Sequence, residues 1–502
     1  MNENVIFTPG VPQPPNPQPV EPRPDGSRPA GPQPMQASGD VQNTTPGSLS
    51  ALPQAAVPPG SGQLPSPSKK SIIIKIVIGV IIGALIVFSI IRFVLPLFGG
   101  NNAQSGKVTL IYWGLWEDPT VVKPIIDDFQ RQHPNITITY SKQDIKQYRQ
   151  RLSTRIENGD GPDIFRYHNT WVPMLSSVLL PLSSDVIKPN EFKTLYAPVI
   201  QNDLIKSGAI YGIPLSIDTL AMFVNKEIID AGSYDIPKDW EDFIRIAKSV
   251  TVQDAGGSIK TAGAAMGTYD NIAHASDIIA VLLLQNGVNV KKMEETKQYA
   301  VEALEFYTKF ATESNNVWSN DLESSTRMFA AGNLAMYFGY SWDIFALQAL
   351  NPQLKFEVHP MPTIPGAKPL TVASYWVEGV SANSKHKKES LLFMQYLSQK
   401  EVSQRFYKSV VDSGRPFGEI YARKDLQELL KDDLVVYPFA KQTDTATSTI
   451  FSSDTYDDGI NSQANAYLAD AVRFILNGGS VESAVDTFAQ GVIQKLQQYG
   501  QQ

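Results

Sequence analysis

The residues of this 502-residue chain best suited to chemistry are aromatic rings set beside carboxylates, amides and hydroxyls, each group just past a short β-branched run. Trp116, Glu117 and Asp118 follow the run 108–113, and Asn169, Thr170 and Trp171 follow 163–168. Ser216 and Asp218 lie past "YGIPL", Tyr340, Ser341 and Trp342 lie past "LAMYFG", and Ser374, Tyr375 and Trp376 occupy another loop. In open α/β sheets ligands collect beyond the carboxyl ends of strands, where loops and helix N-termini present free donors. A mixture of rings and hydrogen-bonding groups suits carbohydrate. The apolar face of a sugar stacks on indole or phenol, and its hydroxyls pair with Asp, Glu, Asn and Arg. Once water is excluded, each unmade hydrogen bond is costly, which gives specificity.

Each ring also has a packing reading. Trp116, Trp171, Trp342 and Trp376 are read as cleft residues, whereas Trp113, inside a strand, and Trp240, inside "PKDWEDFIRIAK", are read as core. Trp318 stays open between the two. Tyr148 and Tyr456 are weaker candidates, and His168 and His274 are read as structural.

Several chemistries are excluded. The chain has no cysteine, which removes disulfides, thiolate metal sites, a cysteine nucleophile and a lipid-modified N-terminal cysteine. Its five histidines are scattered with no H-E-x-x-H pattern, so no metal is expected. There is no nucleophile elbow and no P-loop, and no cofactor is implied. Glycoside hydrolysis needs two carboxylates at a set separation, and nothing in the spacing of Glu117 and Asp218 supports that. The expectation is a binding protein rather than an enzyme. The net charge of −7 argues against nucleic acid, which requires a clustered basic surface.

The elements that must position these residues alternate. Strands are expected at 108–113, 136–140 and 163–168, with amphipathic helices at 119–133 and 145–159 between them. Longer helices are expected near 239–250, 272–285, 294–313, 387–408 and 463–498. Such alternation predicts an α/β fold on a mostly parallel sheet.

The first hundred residues differ. Residues 1–70 hold about half of the chain's 35 prolines and few large apolar groups, the composition of a disordered, partly polyproline-II tail. Residues 71–98 form an apolar stretch whose only charges, Lys75 and Arg92, lie near its ends. That is long enough for one transmembrane helix. Lys69, Lys70 and Lys75 on its N-terminal side put the tail in the cytoplasm and the rest outside. A polar linker, 99–106, follows.

From Lys107 onward the chain resembles the family 1 extracellular solute-binding proteins, to which maltose-binding protein belongs. The resemblance is carried by "YGIPLSIDTLAMFVNKEIID" (211–230), "FAAGNLAMYFGYSW" (329–342), "YWVEGVSANSKHKKESLLFMQYLSQKEVSQRFY" (375–407) and "SGRPFGEI" (413–420), in the family's order. It implies a two-lobed periplasmic-binding-protein-like α/β fold with hinge crossovers, lobe 1 spanning about 107–217 and 373–412 and lobe 2 about 218–372 and 413–502. It further implies a sugar or oligosaccharide held in the cleft for delivery to an ABC permease and ATPase. Asp218 matches a ligand-contacting carboxylate of the maltose-binding branch, and Glu117 an ion-pairing or ligand position. Arg415 either reaches the ligand or serves as a helix cap or surface pair. The transmembrane anchor departs from the family's usual cleaved signal or lipid. With the Pro-rich tail, it keeps open a second reading, a surface glycan-binding adhesion or sensory receptor not coupled to transport.

Overall fold

The computed structural model describes residues 106–312 and 316–501. The expected tail (1–70), the expected membrane span (71–98) and all but the last residue of the linker (99–106) lie outside the described residues. Among the described residues no helix is long and apolar enough to cross a membrane.

The chain enters through β1 (Val108–Gly114), α1 (Pro119–Gln132), β2 (Ile136–Lys142), α2 (Tyr148–Glu157) and β3 (Ile164–His168). α1 begins on proline, whose missing N–H is no loss in a first turn. It buries Val121, Val122, Ile125, Ile126 and Phe129, the three-to-four spacing of one helix face. α2 is shorter than the expected 145–159 because Gln147 is left-handed, with φ 53°. After β4 (Ile213–Pro214) the chain crosses to a second lobe through β5 (Asp218–Thr219). That lobe is built from β6 (Ala221–Asn225), α3 (Trp240–Val250), β7 (Val252–Gln253), β8 (Ile259–Ala264) and α4 (Ala275–Gln285), then α5 (Lys297–Thr312), β9 (Leu334–Gly339), α6 (Asp343–Leu350) and β10 (Phe356–His359).

The return runs through β11 (Thr371–Ser374) into β12 (Trp376–Val380), followed by α7 (Lys387–Leu397) and α8 (Lys400–Asp412). A further crossing passes β13 (Ala446–Thr447) and ends in the pair α9 (Ile460–Leu476) and α10 (Val481–Gln498). The helical stretches expected over 387–408 and 463–498 are thus each two helices. The second is broken at Gly478, whose φ of +86° suits glycine alone among common residues.

Among the described residues there are two hydrophobic cores, one per lobe. One draws on residues between Leu110 and Ile217 and between Ala373 and Val410, and the other on Leu220 to Val372 and Phe417 to Leu496. The sheet orders are β2-β1-β3-β12-β4 in the first lobe and β10-β6-β9-β8-β7 in the second, with a small sheet β13-β11-β5 between them. The sheets are mixed rather than mostly parallel, and the crossings explain why. β1, β2 and β3 are mutually parallel, and the loops that follow β1 and β3 reach the cleft. β12 starts at the cleft, straight from the hinge strand β11, so it must run the opposite way and pairs antiparallel with β3. β6, which starts at the hinge after β5, is antiparallel to β9 for the same reason.

Close packing of the second lobe rests on Gly263 in β8. A Cβ there would lie 1.9 Å from the Ala247 carbonyl oxygen of α3. Gly263→Ala is expected to destabilise the protein by about 1–3 kcal/mol, the usual cost of overpacking a core, read as a lower midpoint in urea denaturation.

Candidate functional site

A cavity of about 430 Å³ lies where the lobes meet. The first lobe contributes Trp116, Glu117 and Arg166, together with Tyr375 and Trp376; the second contributes Ser341, Trp342, Phe345 and Asp454. The crossing segments add Ser216, Asp218 and Ser374, and Arg415 and Glu419 close another side. Of the residues singled out from sequence, Trp116, Glu117, Asp218, Trp342, Tyr375, Trp376 and Arg415 therefore share one cavity.

The rings come from both lobes. In the first, Trp116 meets Trp376 edge to face at 5.4 Å between centroids. In the second, Trp342 lies flat on Tyr340 at 4.3 Å and 14°. Trp116 and Trp342 are each 37% exposed, unusual for indole in a folded protein, and leave ring surface open to the cavity.

The charges are already committed to one another. Arg166, buried within β3, bonds Glu117 and Glu378, its Nε donating to Glu378 at 2.7 Å. Burial pushes the Glu378 carboxyl up, against the downward pull of Arg166. Arg415 lines the cavity, pairs with Glu419 at 2.6 Å and lies over the Phe345 ring. Asp218 accepts the Thr219 N–H at 2.8 Å and the N–H and hydroxyl of Ser341. Burial pushes it up to about 8 despite those donors.

Four expected cleft residues do not line the cavity. The turn after β3 winds behind Trp376 instead of facing the cleft. Asn169 donates to Asp203 and Ser448, at 3.0 and 2.8 Å, and accepts from the Tyr375 N–H. Thr170 bonds Asn461 and His168. Trp171 is fully buried, 5.4 Å from Trp376, and supports that ring from behind. Tyr340 is fully buried, donates to Asp277 at 2.7 Å and serves as the platform beneath Trp342. Trp318 is also fully buried, in the second core.

Other cavity residues escaped the sequence reading. Arg166 carried a usable signal, a charge inside the apolar run "DIFRYH", because a buried charge must be paired. Glu378 in "YWVEGV", which pairs with Arg166 behind the cavity wall, carried the same one. Asp454, Phe345 and Glu419 had no comparable local mark.

Beneath Trp342 lies a charged cluster. His274 Nε2 bonds Asp343 at 2.8 Å, and its Nδ1 meets the Ser453 hydroxyl at 2.8 Å, with Asp454 at 3.5 Å. Burial alone would lower the imidazole, but Asp343, Asp454 and Asp277 outweigh it and lift it to about 9. A folded value above the unfolded 6.5 contributes stability that is complete below 6.5 and is lost as pH rises through 9. His274→Asn, tolerated at φ 57°, is expected to melt below wild type at pH 6. The gap should shrink by pH 9.5, as measured by thermal denaturation across that range.

Known proteins resemble this chain in sequence and in fold. Residues 124–425, more than half of the chain, match the family model described as bacterial extracellular solute-binding protein. The multiple sugar-binding protein of Streptococcus mutans is 20% identical over 61% of this chain and 75% of its own length. The maltodextrin-binding protein MdxE of Bacillus subtilis is 25% identical over 52% of this chain and 62% of its own length. Among solved structures, a cyclo/maltodextrin-binding protein complexed with maltotetraose superposes with a TM-score of 0.64 at 20% identity, over 78% of this chain and 97% of that one. The sugar-binding protein MalE of Xanthomonas citri gives 0.64 at 19%, over 78% and 98%. Two lobes, a cleft between them and a family match across most of both place this chain among the bacterial extracellular solute-binding proteins.

Proposed function

We propose that the two lobes capture a sugar or oligosaccharide and present it to an ABC importer, with residues 71–98 as a single-pass membrane tether that leaves the binding lobes outside the cell. The observation that carries the reading is the cavity itself. Indole rings enter it from both lobes, Trp116 and Trp376 from one and Trp342 from the other, so a ring stacked between them contacts both lobes at once. A guest that touches both lobes favours the closed arrangement, which is how binding energy becomes a signal a permease can read. The relatives support the class of guest: those named above are sugar- and maltodextrin-binding proteins.

Binding rather than catalysis is the reading because the two prominent carboxylates are occupied. Glu117 is held by Arg166, and Asp218 by Ser341 and Thr219. Each is held by its neighbours as a fixed hydrogen-bonding group, the arrangement of a recognition residue rather than of a nucleophile.

Titration calorimetry of the purified protein against glucose, maltose, maltotriose and longer oligosaccharides should give saturable one-to-one binding for at least one of them. Trp342→Ala should weaken that binding roughly thirtyfold, about 2 kcal/mol for a lost stacking face. Silence from every sugar would sink the carbohydrate reading. Recovery of a permease and ATPase with the protein from solubilised membranes tests the transport part.

Acidity offers a separate check. Sugar hydroxyls donate more strongly to an ionised carboxylate, so a bound sugar should lower the Asp218 value from about 8. Protons would then be released on binding near neutral pH. Affinity should rise from pH 6 to about 8 and then level off, with a slope of at most roughly tenfold per pH unit for a single released proton. Calorimetry in buffers of different ionisation heat reads the proton count directly.

A further inference from the structure

The segment 453–459 touches both lobes and the cavity. On the second lobe, Ser453 donates its N–H to Asp277 at 3.0 Å and bonds His274 through its hydroxyl at 2.8 Å. The fully buried Asp457 carboxylate accepts the N–H groups of Asn461 and Ser462, both at 2.9 Å, fastening the segment to the start of α9. On the first lobe, Arg149 in the first turn of α2 donates its Nε–H to the Asp457 carbonyl at 2.6 Å. The inner side of the same segment carries Asp454 and Tyr456 into the cavity, with the Tyr456 ring 6.3 Å from Trp116.

Its backbone is unusual. Asp454, Tyr456 and Asp458 all have left-handed φ, at 53°, 51° and 44°. Aspartate visits that region at modest cost, but a bulky aromatic does so only when its surroundings over-determine it. Asp457 and Ser453 fix the segment from the second lobe. The bond that reaches it from the opposite lobe with a full positive charge is that of Arg149.

We propose that Arg149 is a clasp: by holding the Asp457 carbonyl it keeps the 453–459 arm, and with it Asp454 and Tyr456, against the cavity, and so slows the escape of a bound guest. Arg149 is a positioning residue in this scheme and makes no contact with the guest. The inference rests on reading the cavity as a binding cleft and adds the element that governs release.

The test uses the full chain in detergent, with hydrogen–deuterium exchange across 453–459 and stopped-flow tryptophan fluorescence with maltotriose as the probe. Arg149→Leu should speed exchange of the arm and raise the maltotriose dissociation rate about tenfold, the scale of one charge-assisted hydrogen bond. The association rate and melting temperature should stay near wild type. Arg149→Lys, whose ammonium can donate to the same carbonyl, should restore most of both effects. Unchanged arm exchange in Arg149→Leu overturns the clasp whatever the sugar does, and so does faster exchange with unaltered maltotriose release. If the wild type does not bind maltotriose, a sugar that binds in the calorimetry series takes its place as the probe; silence from every sugar counts against the carbohydrate reading, while unchanged arm exchange in Arg149→Leu overturns the clasp in either case. If Arg149→Leu does not fold, Arg149→Gln carries the same readouts.

Discussion

The constraint on which this structure depends is that one chain must serve two cores. Each core has its own sheet, and the chain passes between them at β5, β11 and the segment around β13. Strands that begin at such a crossing start at the cleft, and strands that belong to one lobe end there. The cavity is therefore bounded by strand beginnings and strand ends together, and the backbone directions in both sheets follow from that. Ser374 opposite Asp218 in the hinge sheet shows how tight the arrangement is. Two residues distant in sequence are placed beside the cavity by a ladder only two residues long, which also holds the lobes together.

The second dependence is electrostatic. Arg166 sits inside β3 with nearly all its surface removed from water, which is tolerable only because two carboxylates meet it. Removing one partner of such a buried group typically costs about 3–5 kcal/mol, since the remaining charge is left without water or counter-charge. The arrangement joins β3 to the loop after β1 through Glu117 and to β12 through Glu378. The three elements that present Trp116, Arg166 and Trp376 are thus fixed relative to one another by side chains as well as by strand pairing. A stacking platform needs such rigidity, because a ring displaced by an ångström loses much of its contact with a partner.

Much of this was legible in the chain. Hydrophobic periodicity located β1, α1, β2 and β3 within a few residues, because those elements bury one regular face. The rule that ligand-facing groups follow strand ends led to Trp116, Glu117, Trp342 and Trp376, all of which reach the cavity. The same rule misled at Asn169, Thr170 and Trp171. Those residues also follow a strand, but a tight turn folds them beneath Trp376, and nothing local distinguishes a turn that faces a cleft from one that packs behind it. Strand direction was not legible, because it depends on which lobe a strand enters from. Asp454 was the least accessible to such reading, and Tyr456 was only a weak candidate. They come from a loop near the C-terminus and reach the cavity only through tertiary contacts with α2 and α4.

The remaining question is why a cavity containing so many charged groups should hold a neutral guest. Its cations are spent: Arg166 on Glu117 and Glu378, and Arg415 on Glu419. An anionic guest would have to break one of those pairs before gaining anything, and it would meet Asp454 besides. A cation would find acceptors, but it would also have to be desolvated against exposed indole faces and a carboxyl that burial has already driven toward its neutral form. What the cavity offers without breaking anything is ring faces from two lobes, serine hydroxyls at Ser216, Ser341 and Ser374, and the unused acceptor capacity of carboxylates already held in place. Those are the groups a polyol with one apolar face can satisfy without displacing a charge, and this favours a neutral sugar over ions of either sign.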